Sequence, residues 1–252
     1  MNMQFGIIGK PLSHSFSPAY FNRRFREAGS EMHYEAFPLE HIGELPELLQ
    51  QHPDLRGLNV TLPYKTAVIP FLDYISESAK EIGAVNCIRI QDGTRYGYNT
   101  DVYGFRESLR PLLHKDIIYK ALVLGTGGSS KAVTAALRQL NIGYTLVSSS
   151  EGKGCAYTAL TPPVLEEHLL IINTTPLGMW PDTGAAPPIP YEALGPDHLL
   201  FDLIYNPEET LFLQKGKQQG ASVKNGLEML LLQAERSWEL WNDLTTEPIV
   251  TV

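Results

Sequence analysis

The sequence predicts an α/β protein of two domains. Short apolar runs of strand length alternate with segments whose apolar residues recur at helical spacing, the pattern of strands with helices laid over them. The alternation pauses after Asp101 and restarts at Tyr119, which separates a second unit from the first. That unit opens with an apolar run, Ala121-Leu122-Val123-Leu124, leading directly into glycines and then a helical pattern. With 252 residues, 43% of them hydrophobic, the chain is long enough to bury two modest cores.

Taken in order, residues 5–8 read as a buried strand. Ser17-Pro18 followed by Phe21, Phe25 and Ala28, with Gly29 beyond, predicts a helix capped by serine. Residues 34–37 give a second strand, and Leu45, Leu48 and Leu49 mark a short helix. Leu58, Val60 and Leu62 recur with period two, so they form one apolar face of a strand while Asn59 and Thr61 point the other way. Pro63 cannot donate to a ladder and ends it. Residues 76–82 form another helix, and residues 85–90 pair with 94–96 through the hairpin dipeptide Asp92-Gly93, which puts Asn86 inside a strand. Beyond Asp101 the pattern is helical through Phe105, Leu109 and Leu113. In the second unit, Ala132, Val133, Ala136, Leu137 and Leu140 repeat at helical spacing, and residues 144–147, 169–172 and 199–204 are strands, the last ending at Tyr205. Residues 176–190, rich in proline and glycine, form a long surface loop, and a helix runs on to about Gly220. Asn225-Gly226 opens a last helix with the stripe Leu227, Leu230, Leu231, Ala234, Trp238 and Trp241; Gln233 lies off it.

Two stretches carry chemistry. Lys65 follows the strand of Leu58 and Val60, while Asn59, Thr61, Asn86, Asn99, Thr100 and Asp101 gather at successive strand ends. Such a convergent set suits a small, hydroxyl-rich ligand, and an ammonium held near a carboxylate can move a proton. Gly125-Thr126-Gly127-Gly128-Ser129-Ser130 lies between a strand and a helix. In the dinucleotide fingerprint the first glycine makes the turn and the second admits the pyrophosphate at the helix N-terminus. The third position, where helix and strand pack closely, is Ser130. The strand at 144–147 ends in Ser148-Ser149-Ser150, with neither the acid that grips the ribose of NAD nor the base that favours the phosphate of NADP; Lys153 is the nearby cation. Residues 151–155 are short and glycine-broken, so no helix is expected after this strand and the adenosine side should be open. A net charge of -8 argues against nucleic-acid or anionic-membrane surfaces. No segment is long enough to span a bilayer, and no basic, apolar leader opens the chain. Cys87 and Cys155 fit neither a disulfide framework nor a metal site, so no metal is expected and the reducing cytoplasm is the default.

Ser13-His14-Ser15-Phe16-Ser17-Pro18, Asn59-Val60-Thr61-Leu62-Pro63-Tyr64-Lys65, Ala84-Val85-Asn86, Asn99-Thr100-Asp101, the glycine turn, Asn173-Thr174-Thr175-Pro176-Leu177-Gly178-Met179 and Asn225-Gly226-Leu227-Glu228-Met229 with Gln233 occur in that order. Together they resemble the signatures of the shikimate dehydrogenase family over nearly the whole chain. The resemblance implies an N-terminal α/β substrate domain, residues 1–101 completed by a helix at 225–252, and a Rossmann-like dinucleotide-binding domain at 102–224, with a cleft between them. It implies reduction of 3-dehydroshikimate to shikimate in the shikimate pathway, with Lys65 and Asp101 as the acid/base pair. Ser15, Ser17, Thr61, Asn86, Tyr205 and Gln233 are then the substrate ligands. Gly125, Thr126, Gly127, Gly128, Ser129, Ser148, Ser149, Lys153, Thr174, Gly226 and Met229 are the cofactor contacts. The cofactor expected is NADP, with NAD less favoured; members using NADP show Asn-Arg-Thr where this chain has Ser148-Ser149-Ser150. A monomer or homodimer binding a small molecule, with no nucleic acid or membrane partner, is expected. Three other readings stand beside it. One is a quinate/shikimate relative using NAD, against which the strand-tip acid is missing; another is a non-catalytic sensor on the same fold. The third, a tetrahydrofolate-cofactor dehydrogenase, gets no support from Ser15-Phe16-Ser17.

Overall fold

The apolar runs build two sheets in the computed structural model, which describes residues 3–13 and 15–252, so His14 of the serine motif lies outside the described residues. Two units result, Met1–Thr100 with Ala234–Val252, and Asp101–Gln233. The first opens with β1 (Gln4–Gly9), buried throughout, and returns through α1 (Phe16–Glu27) to β2 (His33–Pro38), parallel to β1. The short α2 (Leu45–Gln51) leads to β3 (Leu55–Val60), parallel to the other side of β1. β4 (Tyr74–Ser76) runs into α3 (Glu77–Ile82), whose first turn is capped by the Ser76 hydroxyl accepting from the Ala79 N–H at 3.2 Å. β5 (Cys87–Gln91) and β6 (Thr94–Tyr98) form a hairpin in which Asp92 and Gly93 take φ of 49° and 80°, the left-handed pair a tight hairpin turn requires. α4 (Thr100–Leu109) begins at the last residue of this stretch and belongs to the second unit from Asp101 on.

Local expectations shift at three places here. α1 begins at Phe16, so Ser15 occupies the capping position, without a side-chain cap hydrogen bond, and Ser17 is a buried residue of the first turn. Pro18 is tolerated there because the first-turn N–H groups have no helical partner. β3 stops at Val60, short of Pro63: the Tyr64 N–H bonds back to the Thr61 carbonyl at 3.0 Å, turning the chain, and Leu62 is 66% exposed. Asn86 precedes β5 instead of lying in it, and it is buried.

The second unit is a six-stranded parallel sheet. β7 (Lys120–Leu124), α5 (Gly128–Gln139), β8 (Gly143–Ser148) and β9 (Cys155–Ala156) build one half. α6 (Pro162–Glu167), β10 (Leu170–Asn173), β11 (Leu199–Asp202), α7 (Leu211–Gln218) and β12 (Ser222–Lys224) build the other. The strand order β12-β11-β10-β7-β8-β9 reverses direction between β7 and β10, and ligands of open α/β sheets bind outside the strand ends at that switch. Residues 149–154, between β8 and β9, form bends and turns without a helix. β11 ends at Asp202, two residues before the expected Ile204, because the Asp202 carboxylate takes the Ile204 N–H at 3.0 Å and bends the backbone away. Tyr205 is 37% exposed and not a core aromatic.

α8 (Leu227–Trp241) follows, and β13 (Ile249–Thr251) completes the first sheet, whose order is β13-β4-β6-β5-β3-β1-β2. The buried face of α8 is Met229, Gln233, Ala234, Ser237, Leu240 and Trp241, while Leu227 is 40% exposed. Gln233 therefore stands on the buried face, contrary to a stripe drawn from apolar residues alone. The Gln233 side-chain amide is met locally, its Nε2 donating to the Leu230 carbonyl at 2.9 Å, and polar residues so satisfied can be buried.

Trp241 fixes the end of α8 on the first sheet. Its ring centroid lies 5.0 Å from that of Phe5 and 5.3 Å from that of Phe21, and its Nε1 donates to the Ile88 carbonyl at 2.9 Å. Gly57 of β3 is bare because a Cβ there would stand 2.3 Å from Trp241 Nε1. Trp241→Ala is expected to destabilise the protein by about 3–5 kcal/mol, measured by urea unfolding. Gly57→Ala should cost roughly 1–3 kcal/mol in the parent and clearly less in the Trp241→Ala background. Equal costs in both backgrounds would remove the indole as the reason for this glycine.

Candidate functional site

In the first unit the polar residues meet at the ends of two parallel strands. Gly9 follows the pair Ile8 and Val60, and the chains continue into the serine loop and the Thr61–Lys65 turn. The Thr61 N–H donates to the Ile8 carbonyl at 3.0 Å, and a Cβ on Gly9 would stand 2.4 Å from Thr61 Cγ2, so the two loops are held tightly together. Behind them lies a chain of buried polar groups. The Tyr34 hydroxyl donates to Asn59 Oδ1 at 2.8 Å, and Asn59 Nδ2 donates to Ser237 Oγ at 3.0 Å. Asn86 Oδ1 accepts from the Thr100 N–H at 2.7 Å, its Nδ2 donates to Thr100 Oγ1 at 3.0 Å, and Asn99 Nδ2 donates to the Ala84 carbonyl at 3.0 Å. Burial pushes the Tyr34 phenol far above its ordinary range, with the Ser17 hydroxyl pulling the other way, so Ser17 belongs to this chain. Lys65 is half-buried, and its carbonyl accepts from the Val85 N–H at 2.7 Å. The unit thus connects Ser17 at the start of α1 with Thr61, Lys65 and Asn86 at the strand ends. Tyr34 and Ser237 escaped the sequence reading; a serine among the tryptophans of α8 was the signal available for the second.

In the second unit the glycine turn occupies the switch between β7 and β10. Gly125 has φ +106°, and a Cβ there would press Thr174 Oγ1 at 2.8 Å. Thr174 is held by its N–H and its hydroxyl, both donating to the Leu124 carbonyl, at 2.9 and 2.7 Å. Gly127 precedes the twelve-residue α5 without a side-chain cap, and a Cβ at Gly127 or Gly128 would meet nothing within 4 Å. The packing of the protein does not ask for glycine there. A bare, uncapped helix start with Ser129 exposed fits the pyrophosphate of a dinucleotide. Ser130 is buried and donates to the Gly127 carbonyl at 2.6 Å, which seats a hydroxyl where the fingerprint has a third glycine. At the tip of β8, Ser148 Oγ lies 3.3 Å from Thr126 Oγ1 and accepts the Ser150 N–H at 3.0 Å, while Ser149 and Lys153 are exposed. Gly226 is bare for a packing reason, since a Cβ would stand 2.0 Å from the Leu203 carbonyl oxygen; Met229 is buried. Asp101 stands half-buried in the first turn of α4, and Tyr205 lies beyond β11. Among the described residues no cluster of three or more His, Cys, Asp or Glu could hold a metal ion, and no helix is long and apolar enough to cross a membrane.

Residues 7–88 match the shikimate dehydrogenase substrate binding domain. A shikimate dehydrogenase (NADP(+)) of Clostridium beijerinckii is 38% identical, covering 95% of this chain and 92% of the relative. The chain belongs to the shikimate dehydrogenase family. Its fold agrees with that of the Thermus thermophilus shikimate 5-dehydrogenase solved with NADP(H) and shikimate, at TM-score 0.82 and 32% identity, over 98% of this chain and 95% of that one. It also agrees with the Listeria monocytogenes shikimate 5-dehydrogenase solved with shikimate and NAD, at TM-score 0.83 and 27% identity, over 98% and 93% of the chains. Like those members, the chain is an α/β protein whose second sheet is Rossmann-like.

Asp202, outside the family's signature motifs, completes this sheet end. Asp202 is fully buried; its Oδ2 accepts from Thr210 Oγ1 at 2.6 Å and its Oδ1 from Asn173 Nδ2 at 3.1 Å. An acid closing the apolar run Leu199-Leu200-Phe201 was the signal in the sequence. Burial pushes its carboxyl up to about 6, against the hydrogen bonds from Thr210, Ile204 and Asn173 that favour the charged form. A carboxyl raised by folding binds more protons folded than unfolded, so its contribution is fully present below about pH 4 and is lost as pH rises through about 6. Unfolding free energies of the wild type and Asp202→Asn, measured by urea titration from pH 4 to 7, should diverge across that window. The wild type is expected to lose about 3 kcal/mol relative to the variant on raising the pH; parallel pH profiles would refute the assignment.

Proposed function

We propose that the chain catalyses the reversible reduction of 3-dehydroshikimate to shikimate with NADP(H), a step of aromatic amino acid biosynthesis. The observation that carries this reading is kinship over 95% of the chain with enzymes named for that reaction and that cofactor. The uncapped, glycine-opened start of α5 supports the nucleotide half of the reading. When bound, the nicotinamide supplies the hydride. The protein's own part is position and a proton. Lys65, as an ammonium, donates a hydrogen bond to the ketone oxygen and passes a proton to the alkoxide as it develops. Asp101 accepts a hydrogen bond from a ring hydroxyl and orients the ammonium. Ser15 and Ser17 hold the substrate carboxylate as neutral donors, while Thr61, Asn86, Tyr205 and Gln233 read the remaining polar groups. A wrong ligand would leave the buried Asn86 and Gln233 without their ligand partners, which is the basis of specificity.

Gly125, Thr126, Gly127, Gly128 and Ser129 would hold the pyrophosphate, with Thr174, Gly226 and Met229 beside the nicotinamide half. Ser148, Ser149 and Lys153 would hold the ribose phosphate. A second reading, NAD as cofactor with shikimate or quinate as substrate, is favoured by one observation: Ser149 stands where a base is expected, and Lys153 is exposed. The same proposal takes residues 1–101 with 225–252 as the substrate domain and residues 102–224 as the cofactor domain. It places the enzyme in the cytoplasm as a monomer or homodimer, in keeping with a net charge of -8 and two unpaired cysteines.

Purified protein is expected to raise reduced-nicotinamide absorbance with shikimate and NADP+. Turnover with NAD+ alone would keep the chemistry and reverse the cofactor; turnover with quinate in place of shikimate would change the substrate. Lys65→Ala should lower kcat by roughly 10²- to 10⁴-fold with KM little altered, because the residue acts mainly in the transition state. A variant with near-normal kcat would take Lys65 out of its role.

A further inference from the structure

The three adjacent parallel strands β7, β10 and β11 end in register, Leu124 beside Asn173 and Asn173 beside Asp202. Hydrogen bonds continue across those ends in one direction. Asp202 Oδ1 accepts from Asn173 Nδ2 at 3.1 Å; Asn173 Oδ1 accepts from the Thr175 N–H at 3.0 Å and the Thr175 hydroxyl at 2.6 Å. Thr174, held between them, donates twice to the Leu124 carbonyl and touches the place where a Gly125 side chain would begin. Asp202 and Asn173 are both fully buried, whereas Thr174 and Thr175 are part-exposed beside the glycine turn.

The direction of the chain follows from the chemistry of its inner end. An ionised carboxylate only accepts hydrogen bonds, so it compels Asn173 to present Nδ2 inward and Oδ1 outward, where the two Thr175 donors meet it. A neutral amide at position 202 would accept or donate and would leave both orientations of Asn173 open. A cap for α7 alone needs no such group, because Thr210 Oγ1 already takes the Leu213 N–H at 3.4 Å. We propose that Asp202 is a positioning residue of the nucleotide site: acting through Asn173, it holds the Thr174–Thr175 turn in the shape that accepts the dinucleotide beside Gly125. The proposal rests on the nucleotide-binding reading above.

Calorimetric titration of NADPH into the full chain tests it, with Asp202→Asn, Asn173→Ala and the double variant, each checked for folding by thermal melting. Each single variant is expected to bind NADPH roughly tenfold more weakly, the usual consequence of losing a partner that orients a ligand-contacting group. The double variant should bind no more weakly than Asn173→Ala alone, since Asp202 acts through Asn173. Unchanged affinity in a folded Asp202→Asn protein, or losses that multiply in the double variant, would overturn the proposal. Should Asp202→Asn fail to fold, Thr175→Val removes only the hydroxyl at the outer end of the chain; weakened binding supports the link and unchanged binding overturns it. A wild type that binds no NADPH overturns the nucleotide reading itself, an outcome set apart by occurring without any substitution.

Discussion

Buried polar groups that must find partners are the constraint on which both strand-end regions depend. A sheet satisfies its own backbone, but the residues just beyond its strands carry N–H groups, carbonyls and amides into the interior with no ladder to join. In the first unit Asn59 and Asn86 meet that demand, one bonded to Tyr34 and Ser237, the other to Thr100. In the second, Asn173 and Asp202 do so. Both solutions use side-chain amides, which donate and accept at once and so can bridge two loops. Each such bridge contributes about 1 kcal/mol net, but leaving one member unpaired costs about 1–3 kcal/mol. The loops that carry Thr61, Lys65, Thr174 and Thr175 are therefore fixed from behind, by groups of which only Asn86 also reads the ligand in the proposed reaction.

Much of this was legible in the sequence, and the failures have physical causes. The strand residues 121–124 and 170–172 are buried on both faces and read as continuous apolar runs, so their existence was plain. The Asp92-Gly93 hairpin was plain because only certain residues adopt its left-handed angles. The end of β3 was misplaced because Leu62 extends an alternation that the Thr61–Tyr64 turn breaks, and periodicity carries no record of a turn made by backbone hydrogen bonds. Ser17 looked like a cap because a cap and a buried first-turn serine have the same sequence, Ser-Pro. The stripe on α8 was drawn from apolar residues, and it missed that Gln233 and Ser237 are buried with partners contributed in part by residues nearly two hundred positions away, as Asn59 is for Ser237. Pairings of that range leave no local pattern.

The glycines show how structure separates two meanings that sequence merges. Gly57 and Gly226 are bare because the protein itself fills the space, with the Trp241 indole against one and the Leu203 carbonyl against the other. Their bareness is a packing matter, and any nearby ligand is incidental to it. Gly127 and Gly128 differ: nothing of the protein stands within 4 Å of a Cβ built on either, and neither takes a positive φ. Alanine at Gly128 would favour the helix that begins there, by about 1 kcal/mol within a helix interior and less at its start, and serine or aspartate at Gly127, the capping position, would close it with a side-chain hydrogen bond. A chain that forgoes that stabilisation, and leaves the helix start without a cap, keeps its N–H groups open toward solvent. The fold gives no reason of its own for that choice, whereas an anion approaching the backbone supplies one.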